Sequence, residues 1–425
     1  MPALAGAGFV LAWFLLHHGP FTHGQMRDTV VYAHYSHLML DRGRVPYRNF
    51  HLEYPPLSLP TFLIPGLVAG RHFWVFQRVF ELLMAGCGAI AVGLAVFGLS
   101  RQRVSNGRLA ASIALGVSTP LLIGTVILSR YDLWPALLTI GALAAIGFDR
   151  PRAGFALLAL GVAAKGYPIV LLPIAAVYVW RGSGRRQALV CLGIFAALLL
   201  AVLLPFAILS PHGLWASIRG QVGRPMQIES LGASIWLAAH QLLGTHVSTY
   251  FTHGSDNING HPAAQFATVM SVLQLAALVF VFVVFLLGPA TRQRLLFACA
   301  AAVCAFITFD RVLSPQYLLW LLPLVMLLPG RRGLAATGLL ALAMVLTQSY
   351  FPQLFPDLRH FQSLPSWAVI ARNVVLLGLM TTLAWPDVSI VRSALRRVRA
   401  LRFPSAVGRD LVSVDEVAAV ETERR

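Results

Sequence analysis

The chain has 425 residues, of which 57% are hydrophobic and only 12% charged, with a mean hydropathy of +0.72. An ordinary soluble domain carries about 25% charge, so this composition excludes a soluble globule and indicates a polytopic membrane protein. The formal charge of +17 comes mostly from short Arg clusters between apolar segments, a pattern that reads as membrane topology and not as a nucleic-acid-binding face.

Twelve apolar segments, some short or broken by Pro and Gly, approach the roughly 20 residues that a bilayer crossing needs: 3–19, 74–99, 108–125, 128–148, 153–165, 167–180, 187–209, 263–288, 295–309, 316–329, 334–350 and 366–385. The first has no basic n-region or small-residue cleavage site, so it is expected to be a retained helix. Arg clusters near 101–108, 150–152, 181–186, 292–294, 331–332 and 392–402 are expected on the cytoplasmic side. Both termini then face the cytoplasm, and loops 20–73, 210–262, 310–315 and 351–365 face outward. Segment 56–70 is apolar but broken by Pro60 and Pro65; an interfacial or re-entrant helix fits it better than a crossing. The expected fold class is therefore an all-α polytopic membrane protein, a bundle of about twelve transmembrane helices, with interfacial helices in the first outer loop. One membrane domain covers 1–390, and a basic then acidic cytoplasmic tail covers 391–425, read as a surface helix followed by disorder. Cys87, Cys191, Cys299 and Cys304 lie inside apolar segments and are read as packing residues, without disulfide or metal spacing.

Ionisable groups at membrane depth are expensive and mark function by default. Those outside the cytoplasmic loops gather at the outer ends of segments: Asp28, Asp41 and Glu53 in the first loop, Arg130 and Asp132 in "LSRYDLWPALL", Lys165 in "LGVAAKGYPIVLLP", and Asp310 and Arg311 before "LSPQYLLWLLPL". Lys165 is the only lysine beside 32 arginines. A compact ammonium suits a phosphate or an acidic side chain, so substrate contact and a structural ion pair with a neighbouring acid both stand. Arg130 and Asp132, two apart, point to different sides of a helix. His34, His37 and Asp41 share a helical face with metal-ligand chemistry, but no fourth ligand is evident, and histidines facing headgroups are the better explanation. In "EYPPL" the prolines either hold Tyr54 at a cavity mouth or turn the chain into the interfacial segment. Tyr317 and Trp320 share a face as cavity lining or as belt anchors.

The ordered set "GRVPYRNFHLEYPPL", "SRYDLWPALL", "GVAAKGYPIVLLP" and "SPQYLLWLLPL", preceded by the early Asp28, resembles the GT-C glycosyltransferases, in particular the bacterial polyprenyl-phosphate-mannose-dependent mannosyltransferases of the DUF2029 type, which include mycobacterial enzymes that extend phosphatidylinositol mannosides. The likeness spans residues 28–323. It implies a plasma-membrane enzyme with an outward-facing cavity, a lipid-linked sugar donor, a glycolipid or lipoglycan acceptor and an inverting mechanism. It also implies that Asp28 is the base and that Arg130, Lys165 and Tyr317 belong to the donor site. Arabinose or glucose on the same lipid carrier would fit the scaffold as well as mannose. The loop "RGQVGRPMQIESLGASIW" at 219–236 is similar too, without an assigned residue.

The chemistry is consistent with that implication. A glycosyl phosphate already carries a good leaving group, so the reaction needs a base for the acceptor hydroxyl and cations for the departing phosphate. Asp28 is the candidate base, with Glu53 a weaker alternative; its other reading is a helix cap or an ion pair with Arg27 or Arg42. Arg130, Lys165 and Arg311 are the donor-phosphate candidates, and Glu53, Tyr54, Asp132, Gln316 and Tyr317 line the cavity. No cofactor requirement is visible, and a divalent metal is the lesser option. A lipid or lipid-linked-sugar flippase would instead place ionisable groups near helix midpoints and long loops on both faces. A scaffolding protein would have no use for Asp28, Arg130 and Lys165 at one depth.

Overall fold

The computed structural model describes residues 1–18 and 28–385. Met1–Ala384 forms one compact unit. The expected tail helix and the start of the first outer loop lie outside the described residues.

The apolar runs fold as helices, because in hydrocarbon each backbone polar group must be satisfied within its own segment. In chain order they are α1 (Pro2–Leu15), α2 (Thr29–Leu40), α3 (Leu59–Ala69), α4 (Phe73–Ser100), α5 (Asn106–Ile123), α6 (Leu133–Gly147), α7 (Pro151–Ala164), α8 (Leu172–Ser183), α9 (Arg185–Leu209), α10 (Pro211–Val222) and α11 (Ala233–Leu243). After a hairpin of β1 (Thr249–Thr252) and β2 (Ser255–Ile258) come α12 (His261–Leu287), α13 (Arg292–Thr308), α14 (Leu318–Met326), α15 (Gly330–Gln348), α16 (Phe355–Arg359) and α17 (Ser363–Ala384). Each of the twelve expected segments contains a helix. Among the described residues, five stretches are long and apolar enough to cross a membrane: α4, α5 with its trailing turn to Leu128, α9, α12 and α17. Segment 56–70 is a 3₁₀ turn (Pro56–Ser58) followed by the short α3.

Local signals set several boundaries. The Ser105 hydroxyl accepts from the Arg108 amide at 3.3 Å to start α5, and Thr291 does the same for Arg294 at the start of α13, satisfying an otherwise orphaned donor. Gly184, at φ 86°, separates α8 from α9, a backbone region that glycine enters without the Cβ penalty.

The packed interior is built where α6 meets α7, α1 meets α4, and α15 meets α17. α13 is buried along almost its whole length, with Ala298, Ala300, Ala301, Ala302 and Ala305 on its surface, small residues that let neighbouring membrane helices approach. By contrast α9 and α12 leave most of their apolar surface uncovered, including Leu200, Ile208, Val272 and Leu275. That surface would be a liability in water and matches a lipid environment. The chain is a multi-pass membrane protein.

The all-α expectation holds, with one short hairpin beside the helices. Loop 210–262 contains the β1–β2 hairpin, paired antiparallel with Thr249 opposite Ile258 and Thr252 opposite Ser255. Gly254, at φ 66°, permits its tight turn. The hairpin also receives the preceding segment: the Ile258 amide donates to the Met226 carbonyl at 2.9 Å, and the Ile228 amide to the Asp256 carbonyl at 3.0 Å.

Candidate active site

The charged residues singled out from sequence sit where helices begin or end. Asp28 occupies the N-cap position of α2, Arg130 and Asp132 lie between the turn after α5 and the start of α6, and Lys165 caps α7. Gln316 and Tyr317 form the 3₁₀ turn before α14, and Asp310 and Arg311 follow α13.

Asp28 makes an ion pair with Arg130 across 102 positions of sequence, and its side chain makes no capping bond to α2. Among the described residues its ion-pair partner is Arg130 and not Arg42, the alternative read from the sequence; the other alternative, Arg27, lies outside the described residues. Lys165 Nζ donates to Asp132 Oδ1 at 2.6 Å, and Trp320 Nε1 donates to the same oxygen at 2.7 Å. Asp132 is 1% exposed, which is tolerable only because both bonds compensate its lost hydration. The ammonium also faces the rings of Tyr131, Trp320 and Tyr317 at 4.7, 5.2 and 5.6 Å, an aromatic cage of cation–π geometry. Trp320 is sandwiched between Tyr317 at 4.0 Å and Tyr167 at 4.2 Å. Of the two readings of Lys165, the ion pair is present; the aromatic pair Tyr317 and Trp320 faces the site.

The first loop supplies a second aromatic wall. Tyr54 meets Tyr32, Phe62 and Tyr131 at ring distances of 5.7, 5.7 and 5.2 Å. Its carbonyl accepts from the Tyr47 hydroxyl at 2.5 Å, while the adjoining prolines turn the chain into α3. Glu53 is half-buried; its carbonyl accepts from Gln221 at 3.2 Å, and its carboxylate has no hydrogen-bond partner among the described residues. The face expected to carry His34, His37 and Asp41 holds instead a local pair, His37 Nδ1 to Asp41 Oδ2 at 2.5 Å, with Arg71 reaching the same carboxylate at 3.3 Å. No grouping of three His, Cys, Asp or Glu suited to a metal ion occurs among the described residues.

Sequence reasoning missed what loop 223–232 brings. Glu229 is 1% exposed; its Oε1 accepts from the Tyr350 hydroxyl and its Oε2 from Gln227 Nε2, both at 2.8 Å. Its carbonyl accepts from Arg372 at 2.6 Å and from Asn373 at 3.2 Å. Burial pushes the Glu229 carboxyl up to about 7 against the pull of Arg372, the Tyr350 hydroxyl and Arg130, so the carboxyl sits within electrostatic reach of the Asp28 partner. Asp310 is pushed up to about 6, again by burial, with backbone N–H groups and Arg224 and Arg311 opposing it. Arg311 itself donates to Ser271 Oγ at 2.7 Å and, through its carbonyl, accepts the Gln227 amide at 2.9 Å. Buried Gln316 has an Oε1 with no partner among the described residues. One signal was available in advance: Arg372 interrupts an apolar segment at membrane depth, where a charge needs a built partner. Glu229 had none, since a single acid in an outer loop is ordinary.

The site therefore combines two carboxylate–cation pairs, an aromatic cage and a loop-borne acid, an arrangement suited to holding an anionic group beside a proton acceptor. Comparison with known proteins gives a partial answer to its class. Residues 238–353 match the profile of the mannosyltransferase (PIG-M) family, a little over a quarter of the chain that includes Asp310, Gln316, Tyr317 and Tyr350 but neither Asp28 nor Lys165. No curated protein sequence matches the chain. Among solved structures, the crystal structure of ArnT from Cupriavidus metallidurans in the apo state aligns over 94% of this chain and 78% of that one, at 16% identity and a TM-score of 0.47. A likeness at that level carries no argument about activity.

Proposed function

We propose that the protein is a membrane glycosyltransferase that moves a mannosyl residue from a polyprenyl-phosphate-linked donor to a hydroxyl of a glycolipid or glycan acceptor. The observation that carries this reading is the Asp28–Arg130 pair lying in one site with the Lys165–Asp132 pair and Trp320. The matched mannosyltransferase segment, which contributes one wall of that site, supports it. The outward orientation rests on the Arg distribution.

In the proposed reaction the acceptor oxygen attacks the anomeric carbon as the bond from that carbon to the phosphate oxygen breaks. The electron pair leaves on the polyprenyl phosphate, and the acceptor proton passes to the Asp28 carboxylate. A single displacement from the face opposite the leaving group inverts the configuration. Only one carboxylate is needed, in contrast to glycoside hydrolysis with its two opposed carboxyls. Arg130 pairs with Asp28 before substrate arrives, and an incoming phosphate competes for the same guanidinium, releasing the carboxylate to accept a proton. Lys165 supplies the second cation, held in place by Asp132 and the cage.

The test is transfer of radiolabel from polyprenyl-phosphate-mannose to membrane glycolipid extract by the purified protein. Asp28→Asn and Asp28→Ala should each lower turnover by about 10²–10⁴-fold, the usual contribution of a positioned base. Full activity in both variants would remove Asp28 from that role. No transfer from any lipid-linked sugar would overturn the proposal.

A further inference from the structure

Arg130 and Lys165 both enter the site with a carboxylate attached. Arg224 does not. Its Nη2 donates to the His253 carbonyl at 2.6 Å and to Ser255 Oγ at 3.1 Å, and its buried Nε has no partner among the described residues. Both acceptors belong to the tip of the hairpin, which thus acts as a bracket that orients the guanidinium without neutralising it. The backbone beside it is fixed on two sides, by Met226 and Ile228 on β2 and by Gln227 on the Arg311 carbonyl. The Gln227 amide on the Arg311 carbonyl holds the loop that carries Arg224 against the turn of Asp310 and Arg311, and the Asp310 carboxyl lies within electrostatic range of the guanidinium, so Arg224 sits at the edge of the site that holds the two paired cations. A buried N–H without an acceptor is costly, and a rigidly held guanidinium with a spare donor is the residue type that recognises phosphate oxygens.

We propose that Arg224, presented by the hairpin, is a binding ligand for the phosphate of the lipid carrier. This rests on the glycosyl-transfer reading and extends it: the second outer loop, not only the helix ends, supplies a cation for the donor. The paired cations keep their counter-ions until substrate arrives, whereas Arg224 offers its charge from the start. A phospholipid headgroup bears the same chemistry, so the experiment must separate the two sources.

Full-length protein in detergent is titrated with a short-chain polyprenyl phosphate and, separately, with phosphatidylinositol, following tryptophan fluorescence, for wild type, Arg224→Ala and Arg224→Lys. One lost charge-assisted hydrogen-bonding group predicts a rise in Kd for polyprenyl phosphate of about 10–100-fold in Arg224→Ala, a smaller rise in Arg224→Lys, and unchanged phosphatidylinositol binding. In the transfer assay the donor KM should rise while the acceptor KM holds. Ser255→Ala, which removes one orienting bond only, should raise the donor KM by a few-fold and gives the same reading should Arg224→Ala fail to fold. Unchanged polyprenyl phosphate binding and donor KM in folded Arg224→Ala, with the wild type active, would overturn the assignment and leave the transfer reading intact. A loss confined to phosphatidylinositol would likewise overturn it, and a wild type that binds no polyprenyl phosphate would overturn both.

Discussion

Replacing Asp132 by Asn removes the charge that holds Lys165 while leaving an acceptor for Trp320. Asp132 is 1% exposed and receives Lys165 at 2.6 Å and Trp320 at 2.7 Å. Removing one partner of a buried pair costs about 3–5 kcal/mol, because the other charge is left without compensation. Here the rings of Tyr131, Trp320 and Tyr317 remain around the ammonium, and desolvated cation–π contacts offset up to about 2 kcal/mol. The expected net loss for Asp132→Asn is therefore about 1–3 kcal/mol, read by reversible unfolding in mixed detergent. Lys165→Met in the same background removes the stranded charge, so the double variant should recover most of the loss, and the coupling energy, which also contains the cost of Lys165→Met alone, should exceed the recovered part. Additive single effects would refute the reasoning and show that the pair and its cage are energetically independent.

Stability should also fall as pH rises through the range where the loop acids titrate. Glu229 and Asp310 are raised to about 7 and about 6, so both bind their protons more tightly in the folded protein than in the unfolded chain. Their contribution is fully present in acid and is lost by about pH 6 for Asp310 and about pH 7 for Glu229, amounting to a few kcal/mol in all. Glu229→Gln should remove the part of the decline between pH 6 and 7 in unfolding experiments at stepped pH; an unchanged slope would show that Glu229 does not titrate there. At Gly213, in α10, an added Cβ would lie 1.9 Å from the Tyr47 carbonyl oxygen. Gly213→Ala should thus force α10 from the first outer loop at a cost of about 1–3 kcal/mol, visible as a lower Tm, and an unchanged Tm would mean that this contact yields freely.

The helices were legible because a bilayer imposes a local rule. A run of apolar residues of sufficient length must satisfy its own backbone, whatever its neighbours do, and the segments from 74–99 to 366–385 followed it. The charges at helix ends were legible for the same reason: Asp28, Arg130, Asp132 and Lys165 stand out against apolar flanks. Glu229 and Arg224 were not legible, since both lie in a polar loop where a charge is unremarkable. The hairpin at 249–258 escaped as well, because its eight strand residues lack the alternation that marks a half-buried strand.

Sequence alone thus determined that the chain is a multi-pass helical membrane protein, which residues are costly at helix ends, and which chemistry those residues permit. Tertiary structure decided who pairs with whom: Asp28 with Arg130, Lys165 with Asp132 thirty-three positions away, Trp320 with the same Asp132 from 188 positions away, and Glu229 with the Tyr350 hydroxyl through its carboxylate and with the Arg372 and Asn373 side chains through its carbonyl. The physical reason is one of range. Hydrophobic length and backbone satisfaction act along a segment, whereas the neutralisation of a buried charge depends on whichever opposite group the packing of distant helices brings within about 3 Å.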